Sequence, residues 1–441
     1  MSLKHRKSKN SSLFTFYSFP MPTLTWPTKQ FPEPISAHLK TEAFLYPYGT
    51  GDFSDELKNR LIWGDNLRVM AALLPEMEGK IDLIYTDPPF FSNQRYPARV
   101  GRGEDSRQPE KWELASGYQD KWKTLDDYLD MLYPRLALMY RLLSPTGTLY
   151  LHLDWHANSY ARVLLDEIFG YEQLNNEIIW TYHGPSPIRS AFNRKHDTIL
   201  FYTKGKDYTF NVNDVRIPYA DNTVNTFKSS KKAGFGKKPN LEQGKVPEDW
   251  WYFPVVARLH SQRTGYPTQK PEGLLERIIR ASSKPGDVVA DFFAGSGTTA
   301  TVAARLGRRF IVSDTQWRAI HTMRSRFVQN AALLKGEKPQ PLRMAFQREE
   351  KIPEQVPQSC EDAVELKGDK LTLGANLSPT LDYWEVDPDW QGDVFHSVVQ
   401  SSRPRRSGEI ATELELPFVG KRVCVRLMNV RGEQMQEVLC S

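Results

Sequence analysis

The chain has 441 residues, of which 40% are hydrophobic and 25% are charged, with a formal net charge of +5 at pH 7. This length exceeds a usual single core, so we expect one large domain with appendages, or two domains. No apolar run approaches the roughly 18 residues that a membrane-spanning segment needs. The three cysteines, Cys360, Cys424 and Cys440, have neither an even count nor metal-ligand spacing. Their pattern argues against a disulfide framework or a zinc site and favours a reducing, cytoplasmic compartment.

Residues 1–60 are predicted to be an N-terminal extension. The first ten residues, "MSLKHRKSKN", are basic, and the apolar part that follows is short and interrupted by serines. This pattern is poor for a secretory signal and favours a flexible basic tail, with Met1 and Met21 both open as the true start.

From Leu61 to about residue 330, strand-like and helix-like segments alternate, which predicts a mainly parallel sheet covered by helices. "KIDLIYTD" is a buried-strand candidate, and "TLDDYLDMLYPRLALMYRLL" has helical apolar spacing. We expect Pro134 to kink or restart this helix and "SPTG" to stop it.

The segment 184–265 is predicted to be an insertion. It contains fourteen Lys and Arg against seven Asp and Glu, a balance of +7, and its second half lacks a sustained period. Concentrated positive charge is typical of a polyanion-binding element, although a solvated loop explains the charge equally well. Residues 331–355 are predicted to be a linker, and 356–441 a small β-rich domain.

Two segments carry candidate chemistry. In "LIYTDPPFFSN" a carboxylate, two prolines and aromatic residues follow an apolar run directly. In "DVVADFFAGSGTTA" a strand ends at Asp291, the chain turns through Gly295 and Gly297, and a helix begins, so that backbone amides can face a ligand. The second segment lacks the Lys of a P-loop and the third Gly of a dinucleotide fingerprint. Asp314, at the next strand end, suits either a ribose diol or a helix cap.

Taken together, the motifs resemble β-class amino-group DNA methyltransferases, and the C-terminal segments "LDYWEVD" and "KRVCVRLMNVRGEQ" resemble the tail of type III modification-like methylases. The matching segments are "DPPF" at 87–90, "PTQKPEGLLERII" at 267–279 and "DFFAGSGTT" at 291–299, in that order. The resemblance implies a Rossmann-like, S-adenosylmethionine-dependent α/β fold with circularly permuted motif order. It also implies an inserted target-recognition region and a small C-terminal β-rich domain.

The resemblance also implies three sets of site residues. The catalytic set is Asp87, Pro88, Pro89 and Phe90. The S-adenosylmethionine set is Asp65, Thr268, Lys270, Asp291, Phe293, Gly295, Ser296, Gly297, Thr298 and Asp314. The DNA-contact set is Lys228, Lys231, Lys232, Lys237, Lys238, Arg258 and Arg263.

The implied reaction is methyl transfer to the exocyclic amine of a base flipped out of double-stranded DNA. Asp-Pro-Pro favours N6 of adenine, with N4 of cytosine and a non-catalytic DNA-binding role as alternatives. His152, Asp154 and His156 invite a metal site, but methyl transfer needs no metal and we predict none. Further partners compatible with the family are a restriction endonuclease, an accessory subunit and a second copy of the chain. No motif encodes the target sequence.

Overall fold

The computed structural model describes 23–30, 35, 37–47, 49, 59–100, 113–186, 188–229, 239–257, 260–329, 342–355, 357–374, 377, 381–404 and 409–440. The predicted DNA contacts Lys231, Lys232, Lys237, Lys238 and Arg258 lie outside these residues. In the part of the chain that is described, no helix is long and apolar enough to cross a membrane.

In the described part of the chain, all α-helices lie between residues 66 and 329. They are α1 (Asn66–Met77), α2 (Leu125–Leu142), α3 (Asn158–Phe169), α4 (Asp221–Ser229), α5 (Glu272–Ser282), α6 (Thr298–Arg305) and α7 (Trp317–Gln329).

Strands occur throughout the described chain, from residue 39 to residue 440. Up to residue 314 they are β1 (Leu39–Leu45), β2 (Asn59–Trp63), β3 (Ile81–Thr86), β4 (Gln94–Val100), β5 (Glu113–Asp120), β6 (Leu143–Leu153), β7 (Leu174–Thr181), β8 (His196–Thr203), β9 (Trp250–Tyr252), β10 (Val288–Asp291) and β11 (Arg309–Asp314). The later strands are β12 (Met344–Glu349), β13 (Gln358–Ser359), β14 (Val364–Lys367), β15 (Lys370–Leu373), β16 (Leu381–Asp387), β17 (Phe395–Ser397), β18 (Val399–Ser402), β19 (Glu413–Glu415), β20 (Arg422–Asn429) and β21 (Gln434–Cys440).

The central sheet has eleven strands in the order β17-β1-β12-β2-β11-β10-β3-β6-β8-β7-β9. Its middle is parallel from β12 through β6, and β8 pairs antiparallel with both β6 and β7. The separate hairpin β4-β5 follows strand β3 along the chain. The predicted mainly parallel α/β fold is therefore confirmed.

Helices cover both faces of the sheet because its buried strands alternate their side chains between two apolar layers. Leu83 and Tyr85 pack in the layer that includes residues of α5, α6 and α7. Ile84, the residue between them, packs in the other layer with residues of α1, α2 and α3. The sheet is thus the middle of three layers.

Helix α2 begins where the sequence predicts but does not break at its proline. The Thr124 side chain accepts from the Asp127 amide at 3.1 Å and the Asp127 carboxylate accepts from the Thr124 amide, which forms a capping box. The helix continues through Pro134 to Leu142, and "SPTG" is already part of strand β6. The predicted restart at Pro134 is therefore absent, whereas the helix does end directly before "SPTG" as expected.

The outer strands of the central sheet come from segments predicted to lie outside it. The N-terminal extension contributes β1, which pairs antiparallel with β12 from the predicted linker. The C-terminal region contributes β17, which pairs parallel with β1. Strand β8 belongs to the central sheet although it lies within the predicted insertion 184–265. The predicted linker and insertion boundaries therefore do not follow the strands of the central sheet. The sequence misplaced them because hydrogen-bond pairing between distant segments leaves no local sequence signal.

The C-terminal region contains a five-stranded sheet of order β13-β21-β20-β16-β18 and a three-stranded sheet of order β14-β15-β19. Side chains of helix α7 join this region to the part of the chain that ends at residue 329. Arg324 forms a fully buried ion pair with Glu385 of β16, and Nε2 of His321 lies 2.6 Å from the Asp382 carboxylate. The Trp317 indole donates to the Gly432 carbonyl at 2.9 Å. Buried polar contacts therefore hold the two regions together.

Replacing Glu385 with Ala should lower the free energy of unfolding by about 3–5 kcal/mol, because Arg324 would keep an unpaired buried charge. Urea denaturation measures this change. Glu365→Ala removes the partner of Lys367 from an exposed pair and serves as the control, with an expected change below about 0.5 kcal/mol. An effect at Glu385 as small as the control would contradict the prediction.

Candidate active site

Five neighbouring parallel strands each end at, or just before, an aspartate. In sheet order β2, β11, β10, β3 and β6, these residues are Asp65, Asp314, Asp291, Asp87 and Asp154. Parallel strands place their carboxyl ends at the same edge of a sheet, where ligands of α/β folds usually bind. All five aspartates line one cavity of about 550 Å³. The sheet thus brings the two candidate motifs into a single site.

Asp87 has different neighbours on its two carboxylate oxygens. The Lys270 ammonium forms an ion pair with Oδ2. Oδ1 is buried and accepts no hydrogen bond from the residues that the structure describes, and its neighbour Nδ1 of His152 lies 3.9 Å away. Lys270, predicted to lie near the amino-acid part of a cofactor, therefore contacts the catalytic motif directly.

His152 is fully buried behind Asp87. Its Nδ1 lies 2.7 Å from the Tyr85 hydroxyl, and its Nε2 lies 3.2 Å from the Asp197 carboxylate. The Asp197 carboxylate also accepts a hydrogen bond from the Tyr182 hydroxyl at 3.1 Å. Burial raises the pKa of Asp197, but the combined effects of His152, Lys270 and Tyr182 outweigh burial and hold this pKa below its usual range. A polar network thus supports one wall of the cavity.

Phe90 lies between this network and Lys270. Its ring centroid is 5.7 Å from that of His152 and 5.3 Å from Nζ of Lys270. The Pro89 carbonyl accepts the Tyr128 hydroxyl at 2.9 Å, which fixes the backbone next to Phe90. The Asp-Pro-Pro-Phe motif therefore presents a carboxylate and an aromatic ring to the same cavity.

The glycine turn begins helix α6 and is packed too tightly for side chains. Gly295 and Gly297 have φ of +51° and +74°, a region that favours glycine. A Cβ on Gly297 would lie 2.5 Å from the Met323 side chain, and one on Gly295 would lie 3.1 Å from the Tyr266 ring. Both positions therefore require glycine.

Asp291 and Asp314 are buried carboxylates on the two sides of this turn. Burial raises the pKa of Asp291 to about 7, although the Thr299 hydroxyl and the Phe293 amide donate hydrogen bonds to it. Burial raises the pKa of Asp314 to about 6, although it accepts from the amides of Gln316 and Gly295 at 2.8 and 2.9 Å. Burial thus raises the pKa of both acids that flank the glycine turn in the cavity.

Asp65 both caps a helix and lines the cavity. Its carboxylate caps helix α1 by accepting from the amides of Leu67 and Arg68 at 3.0 and 3.3 Å. It also lines the cavity, and its other oxygen pairs with Arg135 at 2.8 Å.

Most of the predicted site residues meet in this one cavity. It is lined by Asp65, Asp87, Pro88, Pro89, Phe90, Thr268, Lys270, Asp291, Phe293, Gly295, Ser296, Thr298 and Asp314. Gly297 supports the turn from behind and does not line the cavity. Of the described DNA-contact candidates, Arg263 lines the cavity and Lys228 is exposed in the last turn of α4.

Sequence reasoning missed several residues that the fold brings to the site. Asp120, Tyr182 and Asp197 line the cavity, but none of them is among the predicted site residues. Arg326 of helix α7 is buried under the glycine turn, where it donates to the Ser296 carbonyl at 3.0 Å. Asp197 is the first acid of the strand that pairs with the His152 strand, and that pairing is the signal that could have found it.

The polar residues after strand β6 and the aromatic run at 250–253 have plain structural surroundings. Asp154 pairs with His156 at 2.8 Å, and within the described ranges no three His, Cys, Asp or Glu side chains form a metal-like cluster. Trp251 is buried, whereas Trp250 and Tyr252 are exposed on the edge strand β9. This alternation follows the two-residue period of a strand.

The chain matches the family described as DNA methylase, N6_N4_Mtase, over residues 81–325. It is 31% identical over 287 residues to type II methyltransferase M2.DpnII of Streptococcus pneumoniae, covering 64% of this chain and 95% of that protein. It is also 31% identical over 265 residues to the DNA adenine methyltransferase YhdJ of Escherichia coli K12, covering 59% and 79% of the two chains.

Solved structures of methyltransferases also align with this chain. The M1.HpyAVI complex with S-adenosylmethionine aligns with a TM-score of 0.38 and 22% identity, covering 60% of this chain and 98% of that one. The cytosine-N4-specific PvuII DNA methyltransferase aligns with a TM-score of 0.42 and 17% identity, covering 68% and 98%.

The raised pKa of Asp291 predicts a specific pH dependence of stability. An aspartate in the unfolded chain titrates near about 3.9, so the folded protein holds a proton that the unfolded chain has lost. This contribution to stability is complete below about pH 4 and is lost as the pH rises through about 7.

Asp291→Asn cannot ionise, so the wild type should lose on the order of 3 kcal/mol of unfolding free energy relative to this variant between pH 5 and 8. Urea denaturation of both proteins at the two pH values measures the difference. Parallel pH profiles for the two proteins would refute the assignment.

Proposed function

Because the chain belongs to the family of amino-group DNA methylases, we propose that it transfers a methyl group from S-adenosylmethionine to N6 of adenine in double-stranded DNA. The observation that carries the proposal is the buried, unpartnered Oδ1 of Asp87 among the described residues. This acceptor lies in the same cavity as the glycine turn. A buried acceptor without a donor is costly, and an exocyclic amine supplies the missing donor.

The residues around the glycine turn fit S-adenosylmethionine. The backbone of Gly295 lines the cavity without a side chain, and the acids Asp291 and Asp314 offer acceptors for the ammonium and hydroxyl groups of this cofactor. Asp65, Phe293, Ser296, Thr298 and Thr268 complete the proposed contacts. When bound, this cofactor supplies an electrophilic methyl group on a positively charged sulfur.

Asp87 and the Pro88 carbonyl are the proposed acceptors for the two amine hydrogens. An aromatic amine is a poor nucleophile because its lone pair is delocalised into the ring, and two acceptors favour the pyramidal nitrogen that can react. The Pro89 carbonyl already accepts the Tyr128 hydroxyl, which is why we assign the second acceptor to Pro88. The proline ring fixes the backbone that aims this carbonyl.

Phe90 is proposed to stack on the target base after the base has left the duplex. The amine is inaccessible within a base pair, so an enzyme that acts on it must extrude the base into a pocket. Trp180 and Tyr182 line the same part of the cavity as Phe90 and add apolar wall. Stacking of one base on an aromatic side chain contributes about 1–3 kcal/mol, which helps to offset unstacking.

Adenine is favoured over cytosine by the motif and by the relatives. The motif here is Asp-Pro-Pro-Phe, and YhdJ, with 31% identity, is named a DNA adenine methyltransferase. We propose a cytoplasmic role in restriction-modification or as an orphan methylase. A restriction endonuclease, an accessory subunit or a second copy of the chain would be the partner in that setting. Target recognition is proposed for the insertion, with Lys228 and Arg263 as its described basic contacts.

Transfer of labelled methyl from S-adenosylmethionine to mixed-sequence duplex DNA should place the label in N6-methyladenine. Asp87→Ala should reduce the transfer rate by about 10²- to 10³-fold or more, because it removes an acceptor that acts on the reacting nitrogen. Asp87→Asn keeps one acceptor oxygen and should retain more activity than Ala. Nucleoside analysis of the product measures both. Label in N4-methylcytosine would instead support the cytosine alternative, and an unaffected Asp87→Ala variant would refute the catalytic assignment.

Asp314→Asn should weaken binding of S-adenosylmethionine by roughly 10- to 100-fold. The variant keeps only one of the two side-chain oxygens that would accept hydrogen bonds from a pair of hydroxyl groups in a buried site. Isothermal titration calorimetry measures the dissociation constant. Asp287→Asn is the matched control, since this aspartate lies just before the other end of strand β10 and outside the cavity. Equal affinities for the two variants would argue against a cofactor role for Asp314.

A further inference from the structure

Asp120 lies at the end of strand β5 and has no part in the proposed chemistry. It is 1% exposed, and its carboxylate accepts the backbone amides of Phe90, Phe91 and Ser92 at 3.1, 3.1 and 2.7 Å. The Ser92 hydroxyl and the Trp122 indole N–H donate to the same carboxylate, each at 2.6 Å. Five donors therefore converge on one buried anion.

The loop held by these bonds has an unfavourable backbone conformation. Phe91 and Asn93 have φ of +66° and +55°, in the left-handed region that side chains disfavour. Such conformations persist only where the surroundings hold them, and they are frequent at functional sites. Successive amides that point to one side form an anion-binding concavity, and here the anion is the Asp120 carboxylate.

Four of the five donors come from residues 90–92, a segment that begins at Phe90 in the part of the site assigned to the target base. Phe90 is the proposed stacking residue, and Asp87 lies three positions before it. The cofactor turn at 295–298 makes its own hydrogen bonds to Asp314 and Arg326, which leaves Asp120 out of its support. A change at Asp120 should therefore move the base half of the cavity and leave the cofactor half in place.

We propose that Asp120 is a positioning residue for methyl transfer: it holds the backbone of residues 90–92 so that Phe90 and Asp87 face the target base in reactive geometry. The proposal deepens the proposed function and rests on it. A carboxylate is required because two oxygens must accept five donors. Asn has the same shape as Asp, but its amide would place an N–H donor against donors that already point to this position, where an acceptor is needed.

The test compares Asp120→Asn with Asp120→Glu and Trp122→Phe in the full-length protein. Steady-state methyl transfer to genomic DNA gives kcat and KM, and calorimetry gives the dissociation constant of S-adenosylmethionine. Asp120→Asn should lower kcat by roughly 100-fold, the effect of a displacement of about 1 Å at a reacting centre, with cofactor affinity within about threefold of wild type. Asp120→Glu keeps the anion despite its extra methylene and should retain more activity than the isosteric Asn variant. Trp122→Phe removes one donor to Asp120 and should lower kcat by less than Asp120→Asn.

Two results would overturn the proposal. One is a kcat for Asp120→Asn within about threefold of wild type, and the other is a loss of kcat matched by an equal loss of cofactor affinity, as a general structural role predicts. If Asp120→Asn does not fold, an unchanged kcat in Trp122→Phe overturns it instead. Absence of methyl transfer by the wild type would contradict the proposed function itself, whereas an active wild type with an equally active Asp120→Asn variant would remove only this proposal.

Discussion

The parallel pairing of five neighbouring strands is the constraint on which the whole site depends. Because these strands run in one direction, Asp65, Asp87, Asp154, Asp291 and Asp314 meet at one edge of the sheet. Asp65, Asp87 and Asp154 pair with Arg135, Lys270 and His156. Burial and repulsion from Asp87 and Asp314 raise the pKa of Asp291, and burial raises the pKa of Asp314. An acidic cavity suits a methyl donor that carries a sulfonium and an ammonium group, since its positive charge offsets the repulsion. The fold thus creates an electrostatic demand that the proposed cofactor meets.

Lys270 links the two halves of this cavity. Its ammonium pairs with Asp87 in the base half, while its backbone carbonyl accepts the Thr298 hydroxyl of the cofactor turn at 3.3 Å. Thr298 in turn accepts from Arg326 of helix α7 at 3.1 Å, and this arginine pairs with Glu272 at 2.7 Å. Hydrogen bonds and ion pairs through Lys270 therefore connect the glycine turn with the Asp87 carboxylate. Through these contacts, the motif at 267–279 lies against both the motif at 87–90 and the motif at 291–299.

The sequence predicted those parts of the fold and site that depend on local pattern. Strand β3, helix α2 and the glycine turn have strong periodicity or fixed residue requirements within a few positions, and the motif order identified the family. Strands β1, β12 and β17 pair across more than 300 residues, and no local feature encodes that pairing. Asp120 was missed for the same reason, since it lies in a segment without a motif and its partners at 90–92 lie about thirty positions earlier. Lys270 was placed in the correct cavity, but its ion pair with Asp87 required the three-dimensional structure.

The central claim is that one cavity at the carboxyl edge of the sheet methylates adenine through Asp87. The most direct test is expression of the wild type and of Asp87→Ala in a bacterial host that lacks its own DNA methylases, followed by single-molecule sequencing that distinguishes N6-methyladenine from N4-methylcytosine. The account predicts N6-methyladenine within one recurring sequence in the wild-type strain and its absence in the Asp87→Ala strain. N4-methylcytosine at the recurring sequence, or modification that persists without Asp87, would contradict it.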